Sequence, residues 1–346
     1  MEHNRRKLAE NQANQPSAYQ SALPIRSRFA FDLDDARRLL QERLIGQSEV
    51  LEQLLDALSY IKSDFADADR PLWNALLIEP TGVGKTEAAK LLAKVLTGSD
   101  DNLCRIDMNT LSQSHYSAAI TGAPPGYVGS KEGVTLFDER LIAGDLARPG
   151  VVLFDEIEKA SDEVRMALLN VLEDGYLTLA GSGKRISFRN SIILMTSNLG
   201  ARLWESTHGG RVARALGLQR RRQKRVLNAI TQGFAPEFFN RIDRVLMFAS
   251  LSDTAAGDIL MLELERLNQR LQRKGISMTL SADVCQQLVR EGFSSRYGAR
   301  SVRRIVRDRV EMPLACFLIG CSALRHERGD LVVHGVWEDN AVQFQF

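Results

Sequence analysis

Three things are scarce in this sequence, and each scarcity excludes a class of protein. Only 4 cysteines occur in 346 residues: Cys104, Cys285, Cys316 and Cys321. They form no CxxC pair and no Cys/His ligand spacing, so they read as reduced thiols rather than a disulfide framework or a zinc site. Long apolar runs are also missing. Stretches such as Val151–Phe154 and Ser191–Met195 fall far short of the roughly 20 residues that span a bilayer. The polar start, Met1-Glu-His-Asn-Arg-Arg-Lys7, has no apolar core behind its basic residues and so does not read as a secretory signal. Finally, no charge of one sign dominates. Lys and Arg number 45 against 43 Asp and Glu, a formal net of +2, so no overall field selects nucleic acid or an anionic membrane as partner. The expectation is a soluble, cytoplasmic protein.

Hydrophobic residues (44%) and charged residues (25%) stand at ordinary globular levels, enough for a substantial core. The length suggests about two domains at roughly 150 residues each. Residues 1–30, rich in Asn, Gln, Ser and Arg, read as a mobile polar arm. From Asp34 helical spacing begins, and a second helix starts at Ser48. Short apolar runs then alternate with helical patterns: Asn74–Ile78, a helix over Lys85–Leu96, Leu103–Ile106, Val151–Phe154, a helix near Asp162–Glu173, and Ser191–Met195. That alternation predicts an α/β domain over 31–250, a parallel sheet with helices on both faces. The pattern shifts near Leu251. Leu260, Leu264, Leu267 and Leu271 mark an amphipathic helix, Ile276–Leu280 a strand, Arg300–Ile319 a further helix, and the tail a hairpin. Residues 251–346 are therefore expected to form a smaller, mostly helical domain.

The chemistry is concentrated after the first strand, in Glu79-Pro-Thr-Gly-Val-Gly-Lys-Thr86. Apart from its first position this is the GxxxxGK[ST] phosphate loop. Thr81, Gly82, Val83 and Gly84 supply backbone N–H groups that curl around phosphate oxygens, Lys85 reaches the β/γ-phosphates, and Thr86 can ligate Mg²⁺. Glu79 stands where the pattern has Gly, at the strand end rather than in the cradle. Downstream, Val151-Val-Leu-Phe-Asp-Glu156 is an apolar strand that ends in paired acids. Beside a phosphate loop, Asp155 is placed to hold Mg²⁺ through water and Glu156 to polarise an attacking water. ATP and Mg²⁺ are the expected cofactors.

With those motifs in place the sequence resembles the Clp unfoldases and disaggregases of the AAA+ ATPases, in particular their second, C-terminal ATPase module, from about residue 31 to the end. Leu44-Ile-Gly-Gln47 resembles the segment walling the adenine pocket, which puts Leu44 and Ile45 there. Gly122-Ala-Pro-Pro-Gly-Tyr-Val-Gly129 resembles the substrate-gripping pore loop, with Tyr127 and Val128 at its tip. Thr196-Ser-Asn-Leu-Gly200 resembles sensor 1, implicating Asn198. Pro236–Asp243 resembles the arginine-finger segment, implicating Arg241, and Tyr297-Gly-Ala-Arg300 resembles sensor 2, implicating Arg300. The resemblance implies a P-loop AAA+ fold with a C-terminal lid, a homo-oligomeric ring (a hexamer in this family), ATP hydrolysis, and polypeptide substrates threaded through the pore.

Several positions depart from the family pattern: Glu79, Ser130-Lys131 after the pore tyrosine, Val134, Ser161-Asp162, and Tyr176 in the lower pore loop. No catalytic group is replaced. Leu216-Gly217-Leu218 is similar to the tripeptide with which some relatives dock a barrel peptidase, against the plain alternative of a helix turn in a solvated basic segment. The basic cluster around Arg220–Arg225 could touch an acidic partner or nucleic acid, a weak signal without interleaved aromatics. Two other functions remain open at this point: an ATP-switched adaptor or scaffold that does not thread, and a nucleic-acid remodeller.

Overall fold

The computed structural model describes residues 26–78, 84–112, 137–179, 183–199, 228, 233–294, 298–321 and 331–346. Parallel strands covered on both faces must be apolar throughout, and the three central strands obey this. Trp73–Ile78 (β1) and Ser191–Ser197 (β6) are buried along their whole length, and Gly150–Asp155 (β3) until its final aspartate. With Leu103–Asp107 (β2) and Arg244–Met247 (β7) they form a five-stranded sheet in the order β2-β3-β6-β1-β7, all pairs parallel. Side chains alternate between two cores. Val151 and Leu153 enter one and Val152 and Phe154 the other, as a period of two requires.

Leu33–Arg43 (α1), Ser48–Lys62 (α2) and Lys85–Thr97 (α3) cover the first face. Asp162–Asp174 (α5) covers the second, after the short helix Glu139–Ala143 (α4) and before the hairpin Tyr176–Thr178 (β4) and Arg185–Ser187 (β5). Pro236–Asn240 (α6) leads into β7. Beyond it come Asp253–Gln272 (α7), Ile276–Leu280 (β8), Ala282–Gly292 (α8), Ala299–Val306 (α9), Met312–Gly320 (α10), Leu331–Glu338 (β9) and Ala341–Gln345 (β10). The apolar stripe of α7, Leu260, Leu264 and Leu267, is continuous with the first core.

Four features differ from the sequence expectation. The strand β7 and the β4–β5 hairpin are additional, because strands of three or four residues carry no clear alternation. The terminal hairpin is one part of a three-stranded sheet, β10-β9-β8, in which β8 runs parallel to β9. The helix expected over Arg300–Ile319 contains a π-turn at Arg307–Glu311. Pro313 has no N–H to continue the α ladder, and the wider turn absorbs the lost bond. Lastly, the end of the polar N-terminal stretch is docked. Phe29 and Phe31 are buried, and Lys62 Nζ donates to both their carbonyls at 2.6 Å.

Candidate nucleotide site

Because the five strands are parallel, their C-terminal ends share one edge, and polar residues gather there. Lys85 opens α3 behind Gly84, whose φ of +120° suits glycine; a Cβ at Gly84 would meet nothing within 4 Å. Helices α1, α4, α5, α7 and α8 each start with an Asp or Ser side chain bonded to first-turn N–H groups, whereas α3, like α2, α6, α9 and α10, starts without a capping side chain. Its first-turn donors and dipole suit an anion.

Four sequence-designated residues meet here. Lys85 Nζ donates to Asn198 Oδ1 at 2.8 Å and to the Ser197 carbonyl at 3.2 Å. Asn198 Nδ2 donates to Glu156 Oε1 at 3.0 Å. Asp155, at the end of β3, accepts from the Thr196 hydroxyl at 2.6 Å, and that hydroxyl accepts the Glu156 N–H at 2.8 Å. Glu156 sits in the left-handed region at φ +58°, a conformation that costs a non-glycine residue about 1–2 kcal/mol and that the Thr196 hydrogen bond helps to hold. Thr86 follows Lys85 in the first turn of α3, half-buried. An amine, a helix N-terminus and two adjacent carboxylates form a set suited to a nucleoside triphosphate and its Mg²⁺.

Sequence reasoning missed several neighbours. Thr196 couples β6 to β3. Arg105, on β2, grips Asp155 Oδ2 through Nε at 3.1 Å and Nη2 at 2.6 Å, neutralising the carboxylate. Arg266 of α7 pairs with Glu87 in the first turn of α3 and with Glu263 at 2.9 Å, while Arg303 of α9 binds Glu263 at 2.9 Å. This chain of charges ties two C-terminal helices to the helix that begins at Lys85. No sequence signal joins Glu87 to Arg266, which are 179 residues apart.

Leu44 is buried and Ile45 half-buried in a turn that Gln47 fastens to the end of the sheet, its amide bonding the Ala249 N–H at 2.7 Å and carbonyl at 2.9 Å. A cleft of about 820 Å³ opens beside them, lined also by Gly46, Asp258, Met261 and Leu262. Arg300 lies exposed in the first turn of α9, one turn before Arg303. Arg241 is not brought to this cluster. It caps α6 and pairs with Glu173 at 2.5 Å, just before β7 begins, toward the N-terminal edge of the sheet. On that edge Asp243 accepts from Asn74 N and Nδ2, both at 2.9 Å, and partial burial pushes its carboxyl pKa upward. On β2, burial pushes the Cys104 thiol up to about 11, so it stays protonated. Thr81, Gly82, Val83, Tyr127, Val128, Glu79 and Leu216–Leu218 lie outside the described residues.

Comparison with known proteins agrees with this geometry. Residues 70–245 match a family described as an AAA domain of the Cdc48 subfamily, and residues 251–328 match the C-terminal, D2-small domain of ClpB protein. An "ATP-dependent protease ATP-binding subunit-like protein AmiB" of Pseudomonas aeruginosa is 42% identical over 321 residues, 90% of this chain and 85% of the relative. An "ATP-dependent protease ATP-binding subunit-like protein" of Rhodococcus erythropolis is 41% identical over 310 residues, 88% of each chain. The "Chaperone protein ClpB" of Meiothermus ruber is 37% identical over 278 residues, 80% of this chain but 31% of that protein. Fold and matches together define an AAA+ ATPase built on an α/β P-loop domain with a smaller helical unit behind it. The chain belongs to the Clp family of AAA+ ATPases.

Proposed function

We propose that this ATPase is a ring-forming protein remodeller that hydrolyses ATP at the Lys85 edge of its sheet and uses the turnover to pull polypeptide through a pore lined by Tyr127 and Val128. The observation that carries the hydrolytic half is the continuous bonding of Lys85, Asn198 and Glu156. Phosphoryl transfer depends on positioning and charge neutralisation, and this arrangement holds a cation, an amide and a carboxylate in one line. Lys85 neutralises phosphate charge, Glu156 orients and polarises the attacking water, and Asn198 aligns that water with the γ-phosphate. Thr86 and, through water, Asp155 would hold the metal, and Mg²⁺ would supply positive charge to offset that of the phosphates. The Leu44–Ile45 turn receives the adenine, and the loop 81–84 the phosphates. Arg300 approaches the nucleotide from the helical unit, which we divide from the larger domain at residue 250.

Arg241 supports assembly. Its position near the opposite edge of the sheet from Lys85 makes it unsuited to its own chain's nucleotide, so we assign it to the site of a neighbouring copy, in a hexameric ring. No described helix is long and apolar enough to cross a membrane, and we place the activity in the cytoplasm. The relatives' names point two ways, to a chaperone and to a subunit of a protease. We favour remodelling without a dedicated peptidase, with docking through Leu216–Leu218 as the second reading. Steady-state ATP hydrolysis over a range of protein concentrations tests the proposal, with Glu156→Gln as control. Specific activity that rises with concentration and vanishes in the variant supports it; turnover equal to the variant's at every concentration contradicts it. For the threading half, Tyr127→Ala is expected to abolish unfolding of a tagged substrate while hydrolysis persists. Unfolding at the wild-type rate would sink the pore.

A further inference from the structure

Beyond the residues already assigned, we infer that Glu158 is a positioning residue for hydrolysis, acting through Asn198; the inference rests on the nucleotide-site reading above. After β3 the chain turns through left-handed Glu156 into a tight 3₁₀ turn, Ile157–Lys159. Two backbone bonds close it, Lys159 N to the Glu156 carbonyl at 2.9 Å and Ala160 N to the Ile157 carbonyl at 3.2 Å, and fully buried Ile157 anchors it. From this fixed turn the Glu158 carboxylate reaches across to the neighbouring strand. Its Oε1 accepts the backbone N–H of Asn198 at 3.0 Å, one residue past the end of β6.

That placement matters because Asn198 stands just beyond the strand ladder, where nothing in the sheet register fixes it. Its side chain spans Lys85 and Glu156, so any drift of its backbone moves the amide relative to both. Glu158 and Glu156 leave the same turn and converge on one residue, Glu156 on its side chain and Glu158 on its main chain. The second oxygen of Glu158, Oε2, is buried and has no hydrogen-bond partner among the described residues. Among the described residues, truncation therefore removes one polar contact, the bond to Asn198. A carboxylate also makes a stronger acceptor for an N–H than a neutral group does.

A strand-end cap with only a structural role would lower stability and leave turnover by the folded protein alone. The test compares Glu158→Ala, Glu158→Gln, Asn198→Ala and the Glu158→Ala/Asn198→Ala pair. Its readouts are ATP kcat and KM, affinity for a fluorescent ADP analogue, and Tm. Glu158→Ala is expected to lower kcat about tenfold with ADP-analogue affinity within about twofold of wild type, a loss of transition-state alignment rather than of ground-state binding. Glu158→Gln, which keeps the acceptor, is expected to recover kcat to within about threefold of wild type. Adding Glu158→Ala to Asn198→Ala is expected to cause no further loss. Wild-type kcat in folded Glu158→Ala, equal damage from Ala and Gln, or losses that multiply in the pair would each overturn the assignment. Should Glu158→Ala fail to fold, Glu158→Met, similar in volume and without the acceptor, is expected to show the same fall in kcat. Wild-type turnover in Asn198→Ala alone would instead overturn the nucleotide-site reading and this inference with it.

Discussion

The two edges of the central sheet are built from similar residues and arranged for opposite ends. At the N-terminal edge, fully buried Asn74 and the more exposed Asp243 satisfy one another: Asp243 takes the Asn74 N–H and side-chain amide, and the Asn74 oxygen takes the Asp243 N–H at 3.1 Å. Asp243 also meets Arg70 at 3.4 Å. This is a closed clamp that ties β1 to the start of β7. At the C-terminal edge Lys85, Asn198 and Glu156 are also bonded in line, but Glu156 is held in a left-handed conformation and a helix N-terminus stands without a capping side chain. Polar residues at a strand end are thus no sign of function by themselves. Strain and spare hydrogen-bonding capacity separate the working edge from the structural one.

Substitutions should break the two edges in different ways. The largest effect is expected at the working edge, where Lys85→Ala lowers ATP turnover by at least about a hundredfold with Tm within a few degrees of wild type. At the clamp the pattern reverses. Asn74→Ala leaves the Asp243 N–H without its acceptor and its carboxylate with one donor fewer, and is expected to lower unfolding free energy by about 1–2 kcal/mol, with turnover by the folded protein within about twofold of wild type. Urea unfolding and steady-state assays on the same preparations check both. The charge chain behind α3 should give a smaller signal. A double-mutant cycle on Glu87→Ala and Arg266→Ala is expected to give a coupling of about 0.5–1 kcal/mol that shrinks as salt is raised.

The smallest effect is a pH dependence at the clamp. Burial raises the Asp243 carboxyl pKa above its unfolded value, so the folded state favours the protonated form. The associated stability is present below the ordinary carboxylate range and is lost as pH rises through the raised folded value. Asp243→Asn is expected to flatten that slope in unfolding measurements from the ordinary carboxylate range upward. An unchanged slope would show that Asp243 does not titrate in the folded protein's working range.

Much of this was legible in the chain. Buried parallel strands must be apolar runs, so β1, β3 and β6 stand out, and a phosphate loop directly after a strand leaves little choice of site. What stayed hidden depends on register and on long-range approach. The Thr196–Asp155 bond exists because Phe154 pairs with Met195, which sets the next two residues side by side. The edge on which Arg241 falls follows from β7, a four-residue strand led by arginine that no periodicity announces. Glu158 stood in plain view beside the paired acids, but its role depends on a turn whose geometry the sequence does not state.

The central claim is that one copy's Arg241 completes the site formed by another copy's Lys85, Asp155, Glu156 and Asn198. It is tested most directly by mixing two inactive variants, Arg241→Ala and Glu156→Gln, and measuring ATP hydrolysis across mixing ratios. In a mixed ring an Arg241→Ala chain keeps its own Glu156 and receives Arg241 from a Glu156→Gln neighbour. The account predicts that hydrolysis reappears on mixing and peaks at intermediate ratios. Activity no greater than the sum of the separate variants at every ratio, in rings shown to exchange subunits, would contradict it.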